Sequence, residues 1–185
     1  MNSWLHKAKV IEYYNNISSS YDELYGEEQK NKYNKVFNVI KNHYMNKVLD
    51  YGCGTGLLLE YLCYNANIQL LVGIDISNGM LSKAKEKLSY KVDLILCDGE
   101  YLPLRNNSFD TTFMITVFQN LYNKELGLGK AISATKPNGL LIISVPNRGN
   151  LKKELLIKIF SQNNVELINK INEDKDFIII MKKKC

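Results

Sequence analysis

Hydrophobic and polar positions follow two different periods along this chain, and the switching between them predicts the elements. Short apolar runs at Lys47–Tyr51 and at residues 69–74, 92–97, 110–118 and 140–145 read as strands, separated by stretches with helical spacing. A helix is expected over residues 57–64. Met80, Leu81, Ala84 and Leu88 place another over residues 78–88, with Ser77 or Asn78 as its N-cap. Leu151, Leu155, Leu156, Ile159 and Phe160 trace one further helical face, and residues 165–171 and 176–182 read as two closing strands. The polar turn Asn172-Glu173-Asp174 between them is too short for a parallel return, so this pair forms an antiparallel hairpin. The alternation predicts an α/β, Rossmann-like doubly wound fold around a mostly parallel seven-stranded sheet that ends in that hairpin. Residues 124–136, with Gly127 and Gly129 inside, should form only a short, weakly stable helix, and little else is inserted between the fourth and fifth strands. Residues 93–97 are expected to be a buried strand of the sheet, the alternative being an edge strand that takes a partner by strand pairing.

Ahead of residue 47 the pattern changes. Tyr33, Val36, Phe37 and Ile40 recur at i, i+3, i+4 and i+7, an apolar helical face. Residues 4–28 mix Trp4, Tyr13, Tyr14, Tyr21 and Tyr25 with polar residues in no clear stripe. A short helix and a mobile segment lying over the domain are expected there. The chain therefore divides into a helical or lid-like segment, residues 1–32, and a single α/β domain, residues 33–185.

Composition narrows this picture in a few places. At 185 residues, 45% hydrophobic and 23% charged, the chain is long enough for one well-buried core and too apolar to be disordered. Its longest apolar runs, residues 140–145 and 177–181, fall far short of a membrane span. No apolar stretch follows His6, Lys7 and Lys9 to make a secretory signal, so no membrane association and a cytoplasmic location are expected. The net charge of +5 is mild, and the lysines at 152–153 and 182–184 read as solvated ends. Cys53, Cys63, Cys97 and Cys185 contain no C-x-x-C pair, and only His6 and His43 accompany them. No metal site is expected, and the cysteines read as reduced, mostly buried and non-catalytic.

The segment that carries chemistry is Val48-Leu49-Asp50-Tyr51-Gly52-Cys53-Gly54-Thr55-Gly56. A buried strand ends at Asp50, and three glycines at alternate positions turn the chain into a helix. Glycine serves where φ must be positive or where a ligand crowds the backbone. Such a turn is expected to present backbone N–H groups and a helix N-terminus to a ligand at the carboxyl ends of the strands. Asp75 closes Val72-Gly73-Ile74-Asp75, nineteen residues after Gly56, where a carboxylate can accept both ribose hydroxyl protons. The glycine spacing separates two nucleoside cofactors. A dinucleotide turn, G-x-G-x-x-G, would need its last glycine at residue 57, which is Leu57.

On these residues the chain resembles the class I S-adenosylmethionine-dependent methyltransferases over roughly residues 33–183. Leu49-Asp50-Tyr51-Gly52-Cys53-Gly54-Thr55-Gly56 is similar to the family's first motif, and Gly73-Ile74-Asp75-Ile76-Ser77 to its second. Cys97-Asp98-Gly99-Glu100-Tyr101-Leu102-Pro103-Leu104 resembles its Asp-x-x-x-Leu-Pro-Phe stretch, and Phe109-Asp110 the pair that opens its fourth strand. The resemblance implies S-adenosylmethionine as cofactor and S-adenosylhomocysteine as product. It places Gly52, Cys53, Gly54 and Gly56 around the methionine portion, with Asp50 orienting its amino group. Asp75 would bind ribose, Ile76 and Met80 would pack on adenine, and Asp98 with Gly99 would read its edge. Ile115 and Thr116 would pass the sulfonium, and Tyr21 would close over the cofactor.

The resemblance brings no universal catalytic residue, because displacement from a sulfonium relies largely on alignment and exclusion of water. Gln119 and Asn120 stand where relatives place polar groups facing the acceptor. Residues 116–120 lack the Asn/Asp-Pro-Pro-aromatic signature of amide and exocyclic nitrogen methylation, and Cys97 is not placed as a pyrimidine C5 nucleophile. The acceptor stays open: a small molecule, or an RNA or protein reached with the help of an activator subunit. The alternatives are a catalytically silent cofactor-binding module and, disfavoured by Leu57 and the hairpin, a nicotinamide-dependent dehydrogenase.

Overall fold

The computed structural model describes residues 2–65, 68–88, 92–160, 164–172 and 175–185. Strands β1 (Lys47–Tyr51), β2 (Leu70–Asp75), β3 (Val92–Leu96), β4 (Phe109–Ile115), β5 (Thr135–Pro146), β6 (Val165–Asn172) and β7 (Asp176–Lys183) form one sheet. Its order is β3-β2-β1-β4-β5-β7-β6, parallel from β3 to β5 and antiparallel across β5-β7-β6. Residues 173 and 174 of the expected closing turn lie outside the described residues.

Period-two burial splits the core between the two faces of this sheet. Val48, Ile142, Ile178 and Ile180 point to one side, against Tyr33, Val36 and Ile40 of α2 (Tyr21–Ile40) and Leu58, Leu59 and Leu62 of α3 (Leu57–Asn65). Leu49, Leu141, Ile143, Ile179 and Met181 point to the other, against α5 (Lys124–Ala134) and α6 (Leu151–Phe160). Between β2 and β3 runs α4 (Asn78–Lys87), where Ser77 is the N-cap: its Oγ accepts from the Met80 N–H at 3.1 Å.

Several expectations change. Residues 3–17 form a full helix, α1 (Ser3–Ile17), and α2 then runs unbroken through residues 32 and 33, where the sequence suggested dividing the chain. The apolar face from Tyr33 onward fixes the second half of α2, and the helix continues backwards through helix-favouring Glu, Gln and Lys. Pro137-Asn138-Gly139 sits inside β5, where the register skips from Phe109↔Thr135 to Thr111↔Leu140 and Asn138 takes φ 65°. Strand β3 is an edge of the sheet, with Leu96 56% exposed, because no crossover carries a further strand beyond it. Cys63 and Cys185 are exposed, while Cys53 is buried and Cys97 half-buried. Among the described residues no helix is long and apolar enough to cross a membrane, and no three metal-ligating side chains gather.

Candidate active site

Strand order reverses between β1 and β4, and the crevice beyond the carboxyl ends of the strands opens there. The glycine-rich turn after β1 adopts φ of 80°, 54° and 80° at Gly52, Gly54 and Gly56. Three of its amides are engaged within the fold. Those of Gly52 and Cys53 donate to the Ile74 carbonyl at 2.8 and 2.9 Å, and that of Gly54 to Asp75 Oδ2 at 2.8 Å. The turn is stitched onto β2 because a strand end left unpaired beside a buried neighbour must satisfy its donors. What it offers a ligand is therefore shape more than donors.

A cavity of about 100 Å³ lies over this turn. Gly52, Gly54, Asp75, Ile76, Met80, Asp98, Gly99, Ile115 and Thr116 all line it, drawn together from the ends of β1 to β4. A smaller chamber beside it is lined by Asp50, Cys53, Tyr21 and Gln29. Tyr21 reaches both, whereas Gly56 lines neither and packs on Ala84 of α4 and on Leu88 just past its end. Asp75 accepts from the amides of Gly54 and Ser77, both at 2.8 Å, so its carboxylate also fixes the loop geometry. Burial pushes the Asp75 carboxyl above the usual range, offset in part by those amides and that of Ile76.

Asp50 is the most perturbed carboxyl. It is 3% exposed, burial and then the nearby Asp75 charge raise it to about 8, and no described side chain offers it a positive partner. Gln29 Oε1 and Tyr51 Oη are buried without a hydrogen-bond partner. Gln29 lines the Asp50 chamber and Tyr51 the main cavity. A cationic group with N–H donors in that chamber would satisfy both Asp50 and Gln29, and this fits the amino group of a methionine moiety. Thr116, a β-branched residue at φ 60°, carries real backbone strain. Its amide donates to Ser144 Oγ at 2.9 Å, and its carbonyl accepts from Gln119 Nε2 at 2.5 Å.

Helix α1 closes the site as the expected lid-like segment, through contacts that the sequence did not reveal. Lys7 Nζ meets Asp98 Oδ2 at 2.6 Å and Glu100 Oε2 at 2.8 Å. Burial lowers the Lys7 ammonium, but hydrogen bonds and charge from Asp98 and Glu100 outweigh that and leave it raised. His6 Nε2 donates to the Asn120 carbonyl at 2.9 Å, and Asn120 Nδ2 donates to Tyr14 Oη at 2.8 Å. Asn15 Oδ1 accepts from Ser77 Oγ and from the Gly79 amide. These partners are 62 to 114 residues apart in sequence, and an isolated Lys, His or Asn on a weakly patterned helix gives no local signal of them.

A second cavity, of about 660 Å³, lies on the other side of α1. Gln119, Lys9, Lys32, Arg148 and Lys175 line it, and Val10, Tyr14, Tyr21, Thr116 and Asn120 line both cavities. The two sequence-derived acceptor candidates thus divide: Asn120 stands at the junction and Gln119 in the second cavity alone.

The sequence matches the family described as a methyltransferase domain over residues 49–143. A protein of Methanocaldococcus jannaschii described as uncharacterized is 35% identical over 150 residues, 79% of this chain and 55% of that protein. The malonyl-[acyl-carrier protein] O-methyltransferase of Priestia megaterium is 28% identical over 153 residues, 80% and 55% respectively. Among solved structures, the magnesium protoporphyrin IX methyltransferase of Synechocystis with bound S-adenosylmethionine superposes with a TM-score of 0.77 at 19% identity, over 97% of both chains. A methyltransferase of Haloferax volcanii in complex with the Trm112 activator gives 0.74 at 12% identity, over 93% of this chain and 98% of that one. The sheet order and the helices on its two faces define a Rossmann-like α/β class of protein. This chain belongs to the methyltransferase-domain family, and it spans about half the length of the two curated relatives named.

Proposed function

We propose that this protein transfers a methyl group from S-adenosylmethionine to a small-molecule acceptor. The observation that carries the reading is the meeting of the two cavities at Tyr14, Tyr21, Val10, Thr116 and Asn120. One cavity has the carboxylates and apolar walls for a nucleoside, and the other, at about 660 Å³, has the volume of a small-molecule site. When bound, the cofactor supplies an electrophilic methyl group. Asp50 and Gln29 would take its amino group, with Gly52, Cys53 and Gly54 shaping that end. Asp75 would hold the ribose, Ile76 and Met80 the adenine faces, and Asp98 with Gly99 the adenine edge. Ile115 and Thr116 would line the path of the methyl, and Tyr21 would cover it. Asn120, through Tyr14, would orient the acceptor and exclude water at the junction.

A partner subunit is a second element of the reading, favoured by the open β3 edge, where unpaired backbone groups and exposed Leu96 could receive a strand. The Haloferax volcanii neighbour, seen with an activator, supports this.

Calorimetric titration with S-adenosylhomocysteine, with NADH and Asp75→Ala as controls, tests the cofactor. Micromolar binding that Asp75→Ala abolishes, with none to NADH, is expected; equal binding of NADH would overturn the assignment. Labelled-methyl transfer by the purified chain alone then decides whether a partner is needed.

A further inference from the structure

The second cavity has a chemistry of its own. Along one wall Tyr13, Tyr14, Tyr21 and Tyr25 follow one another, with successive ring centroids 5.2, 6.5 and 4.9 Å apart, and Val10 and Ile17 extend the apolar surface. Tilted rings at these spacings pack on one another and still leave faces and edges for a flat guest. The rest of the lining is cationic. Lys9, Lys32, Arg148 and Lys175 stand against only two carboxylates, Glu28 and Asp176, an excess of two positive charges. Lys32 is already held by Glu28 at 3.1 Å and Asp176 at 3.0 Å, and Lys175 lies 3.6 Å from Glu28. Lys9 and Arg148, exposed at the mouth, have no ion pair among the described residues. One is on α1 and the other follows β5, so the cavity opens between two free cations.

The inner end is different. The groups shared with the cofactor cavity are two phenols, an alcohol, an amide and a valine. Burial raises both Tyr14 and Tyr21 above an ordinary phenol, so both remain neutral hydrogen-bonding groups near neutral pH. Lys32, charge-paired with Glu28 and Asp176, also reaches this end, its Nζ donating to Thr116 Oγ1 at 3.2 Å. A cavity with a polar, charge-balanced inner end, an aromatic wall and an unpaired cationic mouth selects for a molecule with the same sequence of properties.

We infer that the acceptor is a flat, apolar small molecule bearing an oxyanion, a carboxylate or a phosphate, remote from the atom that is methylated. Its ring system lies along Tyr13, Tyr14, Tyr21 and Tyr25, its oxyanion is held by Lys9 and Arg148, and its reacting end reaches Tyr14, Thr116 and Asn120. This rests on the methyltransferase reading only for the word acceptor; the binding chemistry belongs to the cavity itself. Arginine suits either oxyanion, because its planar fork matches both.

The test is calorimetric titration of the full chain, with and without S-adenosylhomocysteine, using four naphthalene probes: 1-naphthoate, 1-naphthyl phosphate, the neutral 1-naphthamide and the cationic 1-naphthylmethylammonium. The expected result is that at least one anion binds about tenfold or more tighter than the amide and the ammonium, and the better anion identifies the oxyanion. Lys9→Ala with Arg148→Ala should abolish that preference, while Lys9→Arg with Arg148→Lys keeps it. Both positions are exposed, so neither pair should prevent folding; circular dichroism and an unchanged Kd for S-adenosylhomocysteine confirm that. Equal binding of amide and naphthoate, or an unchanged preference in the double alanine variant, overturns the inference. So does displacement of naphthoate by an oligouridine at lower concentration than by naphthyl phosphate, which would make the cavity an RNA site. If the charge preference appears but S-adenosylhomocysteine does not bind, the cavity assignment stands and the methyltransferase reading fails. If S-adenosylhomocysteine binds and no preference appears, the reverse holds.

Discussion

At the scale of single residues, Asp50 is where structure and electrostatics make the sharpest claim. Its carboxyl titrates near 8 in the fold, against 3.8 for the free side chain, mainly because it is buried and secondly because of Asp75. A raised carboxyl favours the protonated form, so its ionisation opposes folding. The penalty is absent below about pH 4, grows as pH rises towards 8, and is then complete, at most about 6 kcal/mol. The ligand-free protein should therefore lose stability between pH 5 and pH 8, and Asp50→Asn should flatten that slope; thermal melts across this range measure it. An ammonium group bound beside Asp50 reverses the sign, so affinity for S-adenosylhomocysteine should rise over the same window in the wild type and much less in Asp50→Asn. The turn next to it makes a second claim. At Gly52, with φ 80°, an added Cβ would come within 2.3 Å of Val117 Cγ2, whereas at Gly54, with φ 54°, it meets nothing within 4 Å. Gly54→Ala should cost only the left-handed strain, about 1 kcal/mol, and Gly52→Ala about 3 kcal/mol or more, since strain and overpacking combine. Urea denaturation of the pair decides; equal losses would mean that Val117 moves aside freely.

Among the elements, α1 is the one held by polar contacts more than by burial. Trp4, Leu5 and Tyr13 on it are exposed, while Lys7 sits between Asp98 and Glu100, the latter 2% exposed. Lys7→Met keeps much of the volume and removes the charge, leaving Glu100 with the amides of Tyr122 and Asn123 alone. Breaking a buried pair on one side in this way should cost about 3 kcal/mol. The loss should be local first: amides of α1 should exchange faster by orders of magnitude while those of β1 and β5 hold, since elements with few apolar contacts open below the global free energy. Uniform acceleration across the sheet would show instead that α1 unfolds only with the whole. The same contrast explains what was legible in the sequence. Strands β1, β2, β4 and the second half of β5 were readable because buried parallel strands are near-continuous apolar runs, edge strand β3 because it too is largely apolar, and β6–β7 because the turn between them is too short for any other pairing. That Gly52, Gly54, Asp75 and Asp98 gather around one cavity was readable because they follow strand ends at fixed spacing. A lid-like segment was readable ahead of the domain, but the partners of α1 were not, since Lys7, His6 and Asn15 acquire meaning only from residues brought to them by the fold. Nor could spacing show that the amides of the glycine-rich turn are engaged by Ile74 and Asp75.

For the whole molecule, α1 is a wall common to both cavities, contributing Val10 and Tyr14 to each. The nucleoside cavity encloses about 100 Å³ with α1 in place, well under the roughly 300 Å³ at which small-molecule sites begin. A larger ligand needs a wall to give way, and α1 is held over the cavity by Lys7, whose ammonium donates to Asp98 Oδ2 at 2.6 Å. Association should therefore be limited by opening of the helix and fall below the roughly 10⁶ M⁻¹s⁻¹ of an unobstructed encounter. Stopped-flow measurement of S-adenosylhomocysteine binding, followed by tyrosine fluorescence, should show a rate that levels off as ligand concentration rises, the plateau being the opening rate of α1. Lys7→Met should lift that plateau about tenfold and raise the dissociation rate as well, since the helix that must open for entry must also open for release. A wild-type rate that stays linear in ligand up to millimolar concentration would mean that the cofactor enters past the glycine-rich turn without moving α1, and the helix would then serve the second cavity alone.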